Sequence, residues 1–198
     1  MLSPLSPFYC AHCIHCRLPE NHCACSKIEQ FEMPFPVMIC SHSKEWQRND
    51  NTAQWATLSS PDIDRIKWHR KTELIHSEIQ LDKLTEIKGQ YLLYPADEAE
   101  NINTMSENIE QLWVIDGTWQ ETQKMLRQSP WLKNMPKVRI NPQQNQALES
   151  QFQLRRNQRG LSTIEAIQWA VKGQSKAAAE GLKNNFNLFQ NTLLNLMK

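Results

Sequence analysis

Leu112-Trp-Val-Ile-Asp-Gly-Thr-Trp-Gln-Glu121 passes from an apolar run to a helix start within one short stretch. Leu112 to Ile115 is continuously apolar, as expected of a strand covered on both faces. Asp116-Gly117 ends the run. Thr118-Trp-Gln-Glu121 then has the capping-box pattern, and it predicts a helix ending near Ser129-Pro130. A buried strand, a tight turn and a helix form the repeating unit of α/β proteins.

The same grammar recurs on either side. Pro34-Phe-Pro-Val-Met-Ile-Cys40, Gln90-Tyr-Leu-Leu-Tyr94 and Lys137-Val-Arg-Ile140 each predict a strand, and Thr72 to Leu81 alternates loosely enough to be another. Residues 51–58 predict a short helix carrying Ala53, Trp55 and Leu58. Asp97 to Ile109 predicts a surface helix, with Ala99, Ile102, Met105 and Ile109 at helical spacing. Ser162-Thr-Ile-Glu165 is a second capping box, opening a helix through Val171, and residues 175–197 predict a long amphipathic helix. Residues 143–153, rich in Gln and Asn, predict a loop. Strands alternating with helices give an α/β class with a largely parallel sheet.

At 198 residues the chain has the length of one compact domain with a small appendage. We expect a Cys-rich head over residues 1–30 and a main domain over 31–198. The formal net charge is +1, so a nucleic-acid partner must be held by a local patch rather than by overall charge. The N-terminus lacks the basic and apolar regions of a secretory signal, and there is no apolar run long enough for a membrane span. A cytoplasmic location and reduced cysteines are therefore expected. The five glycines are scattered, no two closer than Gly173 and Gly181. That spacing excludes both a G-x-G-x-x-G dinucleotide turn and a Walker A loop.

Five of the six cysteines lie between Cys10 and Cys25. Cys13/Cys16 forms a C-x2-C pair and Cys23/Cys25 a tighter one. That supplies the four soft ligands of a closed, structural zinc site, with Cys10 spare. His12, His15 and His22 are alternative ligands, and an iron–sulfur cluster is an alternative metal group.

Three segments share an apolar strand or loop, then polar residues, then a helix start: Tyr91 to Asp97, Val114 to Trp119, and Gly160 to Glu165. Ligands of α/β sheets bind outside the carboxyl ends of the strands. Each residue also has a plainer role open to it: Asp116 as a turn aspartate, Trp119 as a core anchor, Glu165 as the arm of its capping box. Basic residues gather at Lys124, Arg127, Lys133, Lys137 and Arg139, and again at Arg155, Arg156 and Arg159. Trp131 and Phe152 are near them in sequence. The combination suits phosphate contacts with base stacking, or simply a solvated face.

Taken together, these segments resemble the DTW-domain family of tRNA-uridine aminocarboxypropyltransferases. The signature is present as Asp116-Gly117-Thr118-Trp119. The resemblance extends to Cys13-Ile-His-Cys16 and Cys23-Ala-Cys25, Ser41-His42-x-x-Glu45, Asn51-Thr52-Ala53 and Leu93-Tyr94-Pro95. It continues through Ser129-Pro130-x-Leu132, Pro136-x-Val138, Leu154-Arg155-Arg156 and Leu161 to Ala166, and so spans roughly residues 10–171. Cys10 and the polar insert 143–151 depart from the pattern.

The resemblance implies a fold similar to the SPOUT RNA methyltransferases, with a trefoil-type crossing at the cofactor site. It implies S-adenosylmethionine held by loops 93–97, 116–119 and 160–163, through Leu93, Tyr94, Pro95, Gly117, Leu161, Ser162, Thr163 and Glu165. Asp116, Thr118 and Trp119 become the catalytic candidates, Asp116 as the base or as a group orienting uracil or cofactor. Ser162 and Thr163 would hold the cofactor's carboxylate. The metal ligands would be Cys13, Cys16, Cys23 and Cys25, holding structural Zn2+. Lys124, Arg127, Arg139, Arg155 and Arg156 would meet tRNA. The implied reaction moves an aminocarboxypropyl group to uridine N3. A methyltransferase on the same fold and a non-catalytic zinc-containing RNA-binding module are the alternatives, and a monomer or weak homodimer is expected.

Overall fold

A computed structural model of the chain describes residues 11–70, 88–105, 109–141, 150–154 and 160–197. Its centre is a six-stranded sheet of Val37–Ser41 (β1), Ile63–Lys67 (β2), Gln90–Leu93 (β3), Glu100–Asn101 (β4), Gln111–Asp116 (β5) and Lys137–Arg139 (β6). The order is β2-β1-β5-β3-β6-β4, and every pairing is parallel. The helices are Ser43–Trp46 (α1), Thr52–Ser59 (α2), Trp119–Gln128 (α3), Pro130–Asn134 (α4), Thr163–Val171 (α5) and Lys176–Leu196 (α6).

Two-residue periodicity sorts the strand side chains onto two faces. Val37, Ile39, Leu112 and Val114 pack with Trp55 of α2, Ile167 of α5 and Phe186 and Phe189 of α6. Met38, Cys40 and Trp113 pack with Met125 and Leu126 of α3 and Leu132 of α4. Every residue of β1 is buried, as befits a strand covered on both sides. The Cys-rich head is part of the first core: Cys16, Leu18 and Ala24 are buried within it, and Trp55 Nε1 donates to the Cys16 carbonyl at 3.3 Å.

The register places the chemistry. Ser41 lies beside Asp116 in the β1–β5 pairing, and Leu93 beside Val114 in the β3–β5 pairing. The carboxyl ends of three adjacent strands therefore form one edge. By the same alternation, Ser41 and Asp116 turn toward the α2/α5 face, whereas His42 and Tyr94 turn toward α3.

The strands expected near residues 34–40, 90–94, 112–115 and 137–140 are present, as are the helices opened by both capping boxes and the C-terminal helix. The expected helix over 97–109 is not found among the described residues. There the chain forms β4 and a turn, because the Ile102 N–H is taken by the Arg139 carbonyl and β4 pairs with β6. Ala99, Ile102 and Ile109 are buried as their spacing suggests, with Ile102 held beside β6 by its N–H rather than by a helix. The strand expected at 72–81 falls outside the described residues, as does most of the loop expected at 143–153.

Candidate functional site at the carboxyl ends of the strands

Asp116 is buried at the end of β5 and is surrounded by donors. Ser41 Oγ approaches Oδ2 at 2.7 Å, Thr163 Oγ1 approaches Oδ1 at 2.8 Å, and Asn51 Nδ2 bridges both oxygens at 3.3 and 3.1 Å. Arg65 Nη2 completes the set at 3.1 Å from Oδ2. A carboxylate has about four lone-pair sites, so this one is saturated. Its donors come from β1, the start of α2, β2 and the first turn of α5. One carboxylate thus locks four elements at the strand ends.

Arg65 is equally committed. Its Nε donates to Ser41 Oγ, Nη1 to Gln54 and Nη2 also to the Glu45 carbonyl, while the guanidinium covers the Trp46 ring at 4.6 Å. Burial pushes its pKa below the usual arginine value, and Asp116 opposes that.

On the other side of the edge, Trp119 is 61% exposed and stacks on Tyr94 with ring centroids 5.9 Å apart and an interplanar angle of 10°. Gln123, one helical turn on, donates to the Tyr94 hydroxyl. An exposed tryptophan held flat by a tyrosine offers a ready face for a planar ring. Beside it, Thr118 and Glu121 complete their capping box. Gly117 stands where a side chain would crowd Glu121, whose Cβ lies 3.2 Å from the place a Cβ at 117 would take.

His42 connects the two halves. Its N–H donates to the Asp116 carbonyl at 2.9 Å, its ring stacks on Trp68, and its Nδ1 is 3.2 Å from Glu121 Oε1. The same Nδ1 lies 3.4 Å from the Lys44 N–H. One nitrogen cannot donate and accept at once, and the shorter contact to the stronger acceptor places the hydrogen toward Glu121. Burial holds the His42 pKa below its usual value, against the pull of Glu121.

The start of α5 is occupied from within. Ser162 donates to Glu165 Oε2 through both N–H (2.8 Å) and Oγ (2.6 Å), and Glu165 also accepts from Ser150 Oγ and the Gln151 N–H. Ser162, Thr163 and Glu165 therefore spend their side chains on holding the loop. Gly160, just upstream, has φ +81°, a conformation that glycine adopts without strain. A cavity of about 660 Å³ opens between α5 and α6, lined by Trp169, Lys172, Lys176 and Lys183 among others. None of the side chains bonded to Asp116 lines it.

In the head, the sulfurs of Cys13, Cys16, Cys23 and Cys25 all lie within 4.8 Å of one another, with Cys13–Cys25 at 3.7 Å and Cys16–Cys23 at 3.8 Å. Tetrahedral Zn–S bonds of about 2.3 Å put sulfurs about 3.8 Å apart. These four can hold a metal ion. The Cys16 N–H above all holds the Cys13 thiol down to about 6, whereas burial pushes Cys16 and Cys25 up. Arg17, at φ 60°, closes the turn and donates to the carbonyls of Trp46 and Arg48.

A family model described as the DTW domain matches residues 10–194. The chain belongs to the DTW-domain family. The DTW domain marks tRNA-modifying proteins, so RNA is the substrate class the site must meet.

The DTW motif itself is what joins the site. Asp116 reaches Thr163, and Trp119 reaches Tyr94, so the three strand-end segments meet in one region. Of the basic residues, Lys124 and Arg127 are exposed on α3, with Arg127 on the same row as Trp119 and Gln123. Arg139 ends β6 beside Tyr94, and its buried Nε has no partner among the described residues. Arg155 and Arg156 fall outside those residues. Sequence reasoning misses Arg65 altogether and gives Ser41, His42, Glu45 and Asn51 no role. Period-2 spacing in Ile63-Asp-Arg-Ile-Lys67 is the signal that aims Arg65 inward with Ile63.

Proposed function

We propose that this DTW-domain protein transfers the 3-amino-3-carboxypropyl group of S-adenosylmethionine to N3 of a uridine in tRNA. The observation that carries the reading is the exposed Trp119–Tyr94 stack beside the saturated Asp116. A flat aromatic face fits adenine or uracil, and the ordered strand ends supply a fixed wall. When bound, the cofactor supplies a sulfonium whose methionine Cγ is the electrophile. Which carbon reacts is a matter of orientation.

The residues divide the work by face. Asp116 fixes the edge by ordering Ser41, Asn51, Arg65 and Thr163. Gly117 and Thr118 shape the turn that presents Trp119. Leu93, Tyr94 and Pro95 form one wall of the cofactor site, and Leu161 to Glu165 form the opposite loop, acting through its shape rather than through their engaged side chains. Lys124, Arg127 and Arg139 flank the stack and meet tRNA phosphates. The four cysteines of the head fit Zn2+. All six sulfur separations are short enough for a single ion, whereas an iron–sulfur cluster spreads its thiolates over several irons. With four protein ligands such a zinc is structural.

The test is incubation with unmodified tRNA and carboxyl-labelled S-adenosylmethionine, followed by mass analysis of the nucleosides. Label in RNA with an aminocarboxypropyl mass gain supports the reading. A methyl mass gain without label assigns methyl transfer instead.

A further inference from the structure

Four carboxylates gather at the strand-end edge, and three are spent. Asp116 is saturated by four side chains. Glu165 accepts from Ser150, Gln151 and Ser162. Glu121 accepts from the Thr118 N–H and hydroxyl at 2.9 Å each and faces His42. Burial raises the Glu121 pKa, but the Thr118 hydrogens and His42 outweigh it and hold Glu121 low.

Glu45 differs. It sits in α1, just past the end of β1, and its side chain is 14% exposed. Oε2 accepts from Asn51 Nδ2 at 3.2 Å, the amide that also bridges Asp116, and Oε1 has a long 3.5 Å contact with Arg48. Two contacts leave lone pairs free on a carboxylate one amide away from Asp116. Resting on the reaction proposed above, we propose that Glu45, rather than Asp116, is the base that removes the uridine N3 proton. Asn51 orients it, and Asp116 positions Asn51.

In this step the N3–H bond breaks and its proton passes to a Glu45 oxygen. The N3 electron pair forms the bond to the methionine Cγ, the Cγ–sulfur bond breaks with its electrons going to sulfur, and methylthioadenosine leaves. Glu45 then releases the proton to water. The surroundings suit a base: burial raises the Glu45 pKa, Arg48 opposes, and Asp116 and Glu121 raise it further. Arg65 donates to the Glu45 backbone carbonyl, Asp50 engages Arg48, and burial keeps the His42 pKa below its usual value.

The test uses the full chain, tRNA and S-adenosylmethionine. Glu45→Gln keeps the Asn51 contact and removes the base. We expect transfer to fall at least 100-fold, with binding of both substrates, measured by calorimetry, unchanged within about twofold. Transfer by the wild type should fall at low pH along a limb above the ordinary carboxylate range, and the variant should lose that limb. Replacing the target uridine by 5-fluorouridine, whose N3 is more acidic, should rescue the variant far more than it speeds the wild type. Glu45→Asp should restore part of the rate and the limb. Near-wild-type transfer by Glu45→Gln, or equal 5-fluorouridine effects in both proteins, overturns the assignment. If the variant fails to fold, absence of the acid limb in the wild type overturns it and its presence supports it. Wild-type protein that makes no aminocarboxypropyl adduct refutes the reaction itself, a separate outcome.

Discussion

Arg65 Nη2 and Asp116 Oδ2 lie 3.1 Å apart, with side chains only 3% and 5% exposed. Removing one partner from such a buried pair strands the other's charge, which costs about 3–5 kcal/mol. Arg65→Leu should therefore lower unfolding free energy by about that amount in urea titrations. Adding Asp116→Asn should recover part of the loss, because no buried charge is then unpaired. Equal losses in the single and double variants would show that the pair is not coupled.

Trp119 is held at the surface, so its removal should separate binding from stability. Trp119→Ala should change unfolding free energy by no more than about 0.5 kcal/mol. Its loss should weaken tRNA or cofactor binding by about 1–3 kcal/mol, the scale of one aromatic stack on a base. Trp119→Phe should retain much of the affinity. Unaltered binding of both ligands by the alanine variant would remove the stack from the site.

Gly160 stands at φ +81° with nothing within 4 Å of the position a Cβ would take. Substitution there meets backbone strain and no clash. Gly160→Ala should cost about 1–2 kcal/mol in denaturant, and Gly160→Asn less, because asparagine tolerates the left-handed region. Two equally large losses would point to a contact in place of strain.

His42 gives a pH dependence with a definite sign. Its folded pKa is depressed, chiefly by burial, so below the unfolded value of about 6.5 the unfolded chain binds the extra proton first. Stability should be full above about pH 6.5, fall as pH drops from there toward the depressed folded value, and level off below it. His42→Gln should flatten that slope in unfolding experiments run from pH 7 downward. A slope unchanged by the substitution would assign it to another group.

Metal removal should act on the head and, through it, on the whole fold. Purified protein should carry one zinc per chain by elemental analysis. Chelation, or Cys16→Ser, should lower the melting temperature, because ligation free energy is folding free energy at such sites. Zinc content that survives Cys16→Ser intact would refute the four-cysteine set.

The elements most legible in the sequence are those where local and global preferences agree. The apolar run at Leu112 to Ile115 becomes a doubly covered strand, and both capping boxes form as written. Ile63–Lys67 escapes notice because Asp64, Arg65 and Lys67 dilute its apolar signal, although the strand pairs with β1 along its whole length. The 97–109 segment misleads because residues at helical spacing can be buried without a helix, as Ile102 is beside β6. At the site, the DTW residues stand out, but the number of groups crowding Asp116 does not. Its donors are drawn from positions 41, 51, 65 and 163, and sequence separation hides convergence that only folding creates.

The bond from Trp55 to the Cys16 carbonyl, and those from Arg17 to the Trp46 and Arg48 carbonyls, have a consequence for how the protein senses its surroundings. Trp55 belongs to the helix that Asn51 caps, and Trp46 and Arg48 bracket the turn just past Glu45. If the four sulfurs hold the proposed zinc, losing it would slacken both tethers at once and mis-set the strand-end edge around Glu45 and Asn51. Metal supply would then govern the quality of RNA processing and not merely the amount of protein.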